Sequence, residues 1–424
     1  MKSSTKIWLI VFGVVAVLLV ACIGVFVAAI PVARTLSSNY RNVLSQANSA
    51  AVEVINPKPV SSAASPQVQV GDIAAFESTL EQIYANVNPS VVNINVVIGS
   101  GSGSNSQNFQ HPTVPGVPNF QIPNGPQEAL GSGFVWDTQG HIVTNNHVVS
   151  GASQIVVTFW DGTVAEAKLV GAAPNADLAV IKVDVAADKL HPVTLADSSQ
   201  VKVGQMAVAI GNPYGLSGTM TSGIVSALSR SLPVDSSSQL SSSGARYSIP
   251  DIIQTDASIN PGNSGGVLVN AEGKLIGVTA AIESSTNSNS GIGFVIPSAI
   301  VQKVVPSIVE TGKFDQPWLG IEGQTLTPET AKTMGLDVTQ QGVLVIAASQ
   351  GGPAAKAGLQ GATNQDGTGG DIIVAIDNQP VKRFEDLSSY LINKTKAGQS
   401  VTLTLLRNGK QQTVQVTLGV LPQQ

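Results

Sequence analysis

The sequence contains a single cysteine, Cys22, which excludes an intramolecular disulfide framework and a cysteine zinc cluster. Histidine is also scarce. There are four in 424 residues, none in an HExxH arrangement, so neither a dedicated metal centre nor any other cofactor is expected. Charged residues make up only 12%, and 22 lysines and arginines face 27 aspartates and glutamates, for a net charge of -5. Such a chain lacks the electrostatic footprint of a nucleic-acid binder. Aromatic residues are few, at 4%, yet hydrophobic residues reach 43%, enough for large cores and too many for wholesale disorder. At about 100–200 residues per domain, two or three domains are expected.

One long run without charge is present, from Ile7 to Ile30, closed by Pro31. At about 1.5 Å per residue it reaches about 36 Å, more than the roughly 30 Å of a bilayer's hydrocarbon core. It is longer than the apolar part of a signal peptide. The expectation is one uncleaved N-terminal transmembrane helix over residues 1–33, with the bulk of the chain outside the cytoplasm. Lys2 and Lys6 before the run are nearly balanced by Arg34 and Arg41 after it, so charge gives orientation little help. Leu19-Val20-Ala21-Cys22 has the form of a bacterial lipoprotein cleavage box, so a cleaved signal and lipidation at Cys22 remain alternatives.

Residues 34–72 are rich in Ser, Ala, Asn and Gln and read as a linker or a short stalk. Leu36, Tyr40, Val43, Ala47, Ala50 and Val54 alternate at steps of four and three, the spacing of a coiled-coil seam. Asn39, Asn42 and Asn48 oppose that reading by lowering helix propensity. A helical pattern at Phe76, Leu80, Ile83, Tyr84 and Val87 then precedes Pro89 and the strand-like Val91–Val96. Residues 98–129 read as a mobile surface insertion rich in Gly, Ser, Asn and Pro. From Gly131 to Pro297, short apolar runs alternate with turn residues, which argues for an antiparallel barrel or sandwich. A helix over Ile300–Glu310 stops at Thr311-Gly312-Lys313, and the remainder suffices for one small domain.

Three segments carry chemistry. Thr144-Asn-Asn-His147 sets a histidine just after a strand. Asn175-Ala-Asp177 sets an acid at the mouth of an apolar run. Asn260-Pro-Gly262-Asn263-Ser264-Gly265-Gly266 sets a serine in a glycine-rich turn. A serine hydroxyl is a weak nucleophile and needs a base, and the base needs an acid to hold its tautomer. Gly262 lets the backbone turn so that amides of the loop converge on a developing oxyanion. Competing groups fit less well. His111 lies in the Pro-rich insertion, His191 precedes Pro192, His141 enters a strand, and Asp161-Gly162 is a hairpin signal.

These segments resemble those of the HtrA/Deg family of trypsin-like serine proteases, in the chain order His, Asp, Ser. Gly131-Ser-Gly-Phe134, Ala209-Ile-Gly-Asn-Pro213, Thr221-Ser-Gly-Ile-Val225, Gln254-Thr-Asp-Ala257 and Ile292-Gly-Phe-Val-Ile-Pro297 strengthen the likeness. The resemblance covers roughly residues 73–424. It implies a mainly β chain, with a trypsin-like double β-barrel over 73–312 and an α+β PDZ domain over 313–424. It implies His147, Asp177 and Ser264 as the catalytic triad, and backbone of Gly262, Asn263 and Ser264 as the oxyanion hole. It also implies a specificity pocket walled by Ile259, Ala280, Ala281 and Ile292. That pocket holds no evident acid to pair with Lys or Arg, so small aliphatic side chains are expected before the cut.

Trp318-Leu319-Gly320-Ile321 resembles a PDZ carboxylate-binding loop, and Gly352-Pro-Ala-Ala-Lys-Ala-Gly358 and Gly370-Asp-Ile-Ile-Val continue the pattern. A plain buried strand is the alternative reading of the loop. The resemblance implies binding of apolar C-termini by strand addition, unfolded proteins as substrates, and a homotrimer. A dedicated signalling protease is the nearest alternative. A PDZ scaffold or holdase with a silent protease fold is another, though the complete triad argues against it.

Overall fold

The computed structural model describes residues 70–98, 127–212, 218–233, 248–260, 262–280, 291–364 and 368–422. The expected anchor, the linker or stalk up to residue 69, insertion residues 99–126 and Ala281 lie outside the described residues. Among the described residues no helix is long and apolar enough to cross a membrane.

Helix α1 (Val70–Val87) starts inside the bounds that composition gave to the linker. Its C-terminal half carries the apolar pattern inwards, with Ile83 and Val87 buried, while Ile73 and Phe76 stay exposed. A turn containing Pro89 leads into β1 (Val91–Ile98). The next elements are β2 (Gln127–Val135), β3 (His141–Thr144), the short helix α2 (Asn146–Val149), β4 (Ala152–Thr158), β5 (Val164–Ala173) and β6 (Leu178–Val183). The strands close into an antiparallel barrel in the order β1-β2-β3-β6-β5-β4. Strands β1 and β2 thus extend into the expected 98–129 insertion at both ends, pairing Ile98 with Gln127. Asp161-Gly162 does form the β4–β5 hairpin, with Gly162 at φ +83° and Asp161 bonded to Lys189 Nζ at 2.7 Å.

The second barrel is built from β7 (Met206–Gly211), β8 (Thr219–Pro233), β9 (Ser248–Thr255), β10 (Val267–Val269), β11 (Leu275–Ala280) and β12 (Gly293–Pro297), in the order β10-β11-β12-β9-β8-β7. Helix α3 (Ser298–Thr311) follows and ends at Gly312, whose φ of 76° lets its N–H reach back to the carbonyl of Ile308. The period of two explains where each side chain goes. On β6, Ala179, Ile181 and Val183 fill the first barrel. Leu178 and Val180, on the other face, join a core that lies between the barrels. Val208, Ile210, Val278 and Ile296 of the second barrel share that core, and Ile300, Val301, Val304, Val305 and Ile308 of α3 close it.

The C-terminal domain holds β13 (Pro317–Trp318), β14 (Ile321–Thr325), α4 (Pro328–Thr333), β15 (Val343–Ala348), α5 (Pro353–Lys356), β16 (Ile372–Ile376), β17 (Gln379–Pro380), α6 (Phe384–Lys394), β18 (Ser400–Arg407), β19 (Lys410–Thr417) and β20 (Gly419–Val420). Its main sheet runs β14-β15-β16-β18-β19. Helix α6 docks on the second barrel. Ser389 and Asn393 both donate to Asp251 Oδ2 on β9, Asn393 at 2.6 Å, and Ile392 is buried in the core between the barrels. Just beyond the helix, the Thr395 carbonyl accepts from Lys303 Nζ of α3 at 2.6 Å. Burial at this contact lowers the Lys303 pKa, as do the neighbouring Lys396 and Lys394.

Candidate active site

His147 sits on α2, one short turn after β3, and Asp177 immediately precedes β6, the strand paired with β3. Strand pairing therefore brings the two together across a gap of thirty residues in sequence. Asp177 adopts a left-handed backbone, φ 47° and ψ 41°, a conformation that Asp tolerates better than most residues. That turn aims its carboxylate at the histidine. Oδ2 lies 2.8 Å from His147 Nδ1, and Oδ1 accepts the His147 backbone N–H at 3.0 Å. The Asp177 carbonyl accepts the Asn145 side-chain amide at 2.9 Å and the Asn146 N–H at 3.2 Å. A carboxylate on Nδ1 holds the proton there and leaves Nε2 as the basic nitrogen, the arrangement a general base requires.

Ser264 belongs to the second barrel, in the turn before β10, and is 6% exposed. Gly262 takes φ 96° within the turn, and Asn263 N–H closes back on the Asn260 carbonyl at 2.9 Å. Gly265 takes φ 84°, and a Cβ there would stand 2.1 Å from the Ser132 carbonyl oxygen. Only glycine fits between the Ser264 turn and the first barrel. Ser132 N–H donates to the Ser264 carbonyl at 2.8 Å and ties the two barrels together at this point.

The expected pocket residues lie near one another in part. Ile259 packs against Gly293, where an added Cβ would meet its Cδ1 at 2.7 Å. Ile292, beside Gly293 in the chain, is half exposed, and Ala280 is buried and pairs with Phe294 on β12. His141 is held outside the site. Its ring Nδ1 lies 2.6 Å from Asp137 Oδ2, the structural role its place at the start of β3 suggested. Sequence reasoning missed Ser132 and Thr279, whose hydroxyls bond to carbonyls of the turn. The Gly131-Ser-Gly-Phe134 phrase contained the first without marking its use.

In the C-terminal domain, Leu319 is buried, Gly320 has φ 80°, and Trp318 lies over Gly352 and Gly419. The Leu319 carbonyl accepts from Ala354 N–H and the Gly320 carbonyl from Ser349 N–H, each at 2.9 Å. In a trans peptide the N–H opposes the C=O, so the amides of Gly320 and Ile321 point away from these anchors. Ile321 opens β14, the strand beside the loop.

Two closed barrels with a histidine–acid pair on one and a serine turn on the other, followed by this β/α domain, define a trypsin-like serine protease joined to a PDZ domain. Family models agree, with a trypsin-like peptidase domain matched at residues 131–278 and a PDZ domain at 317–418. The chain belongs to the HtrA/DegP-like family. It is 42% identical over 307 residues to Protease Do-like 1 of Arabidopsis thaliana chloroplasts, covering 72% of this chain and 65% of that one. It is 39% identical over 295 residues to a probable periplasmic serine endoprotease DegP-like of Pseudomonas putida, covering 70% and 57%. The chain thus spans roughly half to two thirds of the length of these curated relatives. A DegP-like relative from Hahella chejuensis is 37% identical over 83% of this chain and 71% of its own. Among solved structures, the HtrA-type protease AlgW with decapeptide superposes with a TM-score of 0.61 at 35% identity, covering 81% of this chain and 99% of that one.

Proposed function

We propose that the chain is a serine endopeptidase that cuts unfolded or damaged proteins outside the cytoplasm, tethered to the membrane by the apolar run near its N-terminus. His147 takes the proton of Ser264 as the hydroxyl attacks a peptide carbonyl. The oxyanion is held by backbone amides of the Gly262–Ser264 turn, and water then releases the acyl group. The observation that carries this reading is the two-point grip of Asp177 on His147, through Nδ1 at 2.8 Å and the backbone N–H at 3.0 Å. A purely structural histidine would not need its ring so oriented while remaining exposed.

The relatives named as periplasmic endoproteases support an extracytoplasmic site of action. The uncharged Ile7–Ile30 run supports a single-pass anchor. Ile259 against Gly293 supports a pocket for Val or Ala before the cut. The outward amides after Trp318-Leu319 support capture of free, apolar C-termini by the PDZ domain. Assembly as a homotrimer is part of the same proposal. The test is proteolysis of a permanently unfolded protein, beside a folded control, by wild type and Ser264→Ala. Turnover by wild type alone, with cuts after small aliphatic residues, is expected. Equal residual activity in Ser264→Ala would remove the serine from its role, and cutting confined to one folded substrate would favour the dedicated signalling protease.

A further inference from the structure

The peptide planes of the nucleophile turn are held from behind by two buried residues, one from each barrel. Ser132 on β2 and Thr279 on β11 are both fully buried. The Ser132 hydroxyl donates to the Gly262 carbonyl at 2.6 Å, which fixes the Gly262–Asn263 plane. That hydroxyl has one proton, and its direction is set because the oxygen already accepts the Asn212 N–H at 2.8 Å. The Thr279 hydroxyl donates to the Asn263 carbonyl at 2.5 Å, reinforced by Gly266 N–H at 2.9 Å, which fixes the Asn263–Ser264 plane. The next plane is held at both ends, its Ser264 carbonyl by Ser132 N–H and its Gly265 N–H by the Thr279 carbonyl, each at 2.8 Å.

A trans peptide points its N–H opposite its C=O. Anchoring the Asn263 carbonyl on Thr279 therefore turns the Ser264 N–H to the far side of the turn. Anchoring the Gly262 carbonyl on Ser132 fixes the Gly262–Asn263 plane, through which the chain runs on to the Ser264 amide. Ser132 is supported in turn. Its carbonyl accepts the Thr144 hydroxyl at 2.7 Å, and the carbonyl of its partner Asn212 accepts the Asn93 side-chain amide at 2.7 Å. Thr144 closes β3, the strand that leads to His147, so the same chain of bonds connects the base to the oxyanion-binding backbone.

We infer that Ser132 and Thr279 are positioning residues that orient the oxyanion-binding amides of the Gly262–Ser264 turn. The inference rests on the reading of Ser264 as nucleophile. Each acts through the backbone it holds and does not touch the reacting atoms. A hydrogen-bond donor matters to catalysis only where it meets the developing charge, so loosening its plane weakens the transition state more than the bound substrate.

The experiment compares wild type, Ser132→Ala, Thr279→Val, Thr279→Ser and the blank Ser264→Ala on a chromogenic peptide with Val before the cut. It measures kcat and KM per titrated active site. It also measures affinity for a peptidyl trifluoromethyl ketone, which forms a tetrahedral oxyanion adduct, and for the product peptide, which does not. Since misplacing a catalytic group by about 1 Å costs on the order of 100-fold, Ser132→Ala and Thr279→Val are expected to lose about 10- to 100-fold in kcat with little change in KM. Ketone affinity should fall in step while product affinity holds, and Thr279→Ser, which keeps the hydroxyl, should return close to wild type. Unchanged kcat per active site would overturn the inference. So would equal losses for ketone and product, or a Thr279→Ser variant as impaired as Thr279→Val. If wild type itself does not exceed the Ser264→Ala blank, the protease reading falls first. If wild type turns over and the variants match it, only the positioning role falls.

Discussion

Asp177 combines an unusual backbone with a two-pronged side chain, and the two cannot be separated. Its left-handed turn at φ 47° aims the carboxylate so that each oxygen has its own N–H donor on His147. Asn also tolerates that backbone, so Asp177→Asn should fold normally. Its amide would no longer offer an acceptor at both places and would favour the wrong histidine tautomer. The expected loss in kcat is on the order of 10⁴, read by single-turnover acylation. His147, Asp177 and Ser264 were legible as candidates because each sits in a short, chemically distinctive phrase. Ser132 and Thr279 were not, because a buried hydroxyl bonded to a carbonyl looks in sequence like any small strand residue.

At the level of elements, the reading by short apolar runs succeeded where a strand is largely buried on both faces. The strand that His141 was expected to enter is β3, and the strand-like Val91–Val96 falls within β1. Helix α3 extends the expected Ile300–Glu310 by a little at each end. Strand β5 was missed, because Val164 and Leu169 are exposed and its alternation is broken by a register shift near Gly171. Strand pattern alone could not choose between barrel and sandwich, since closure depends on β1 meeting β4 and β10 meeting β7, contacts far apart in the chain; the family resemblance did choose the barrel.

In the C-terminal domain, an ion pair closes the end of the β16–β18 pairing, just beyond Ile372 and Leu406. Arg407, at the end of β18, grips Asp371 through Nε and a terminal nitrogen, both at 2.6 Å, and also donates to the Gly358 carbonyl at 2.8 Å. The Asp371 side chain has no exposed surface. Arg407→Met would strand that charge, and the expected cost is about 3–5 kcal/mol in urea unfolding. Adding Asp371→Asn should recover much of it, because the penalty comes from the unpaired carboxylate rather than from the missing arginine.

Taken whole, the molecule keeps its chemistry at boundaries between parts. His147 and Asp177 belong to one barrel and Ser264 to the other, and α3 packs into the core that joins them. The PDZ helix α6 adds Ile392 to that same core and binds Asp251 at its edge. The α6 contact was not visible beforehand. Asp251 is a non-glycine residue at φ 59° within a strand, and its partners lie more than a hundred residues away. The sequence marks each domain's own core well, but a contact between domains leaves only isolated polar residues such as Ser389 and Asn393.

The position of α3 at the end of the barrel domain also has a consequence in time. A chain is made from its N-terminus and folds domain by domain, at about 5–20 residues per second. His147 and Asp177 leave the ribosome first and Ser264 later, but the apolar faces that bring the barrels together stay uncovered until Val301, Val304, Val305 and Ile308 arrive. The nascent chain therefore carries every reactive group before it has a working site. Chains stalled with Ser298 still in the exit tunnel are expected to be inert toward a peptide substrate, whereas chains stalled after Lys313 has emerged should label with a serine-reactive probe. The last helix of the barrel domain thus sets the moment at which the site is complete.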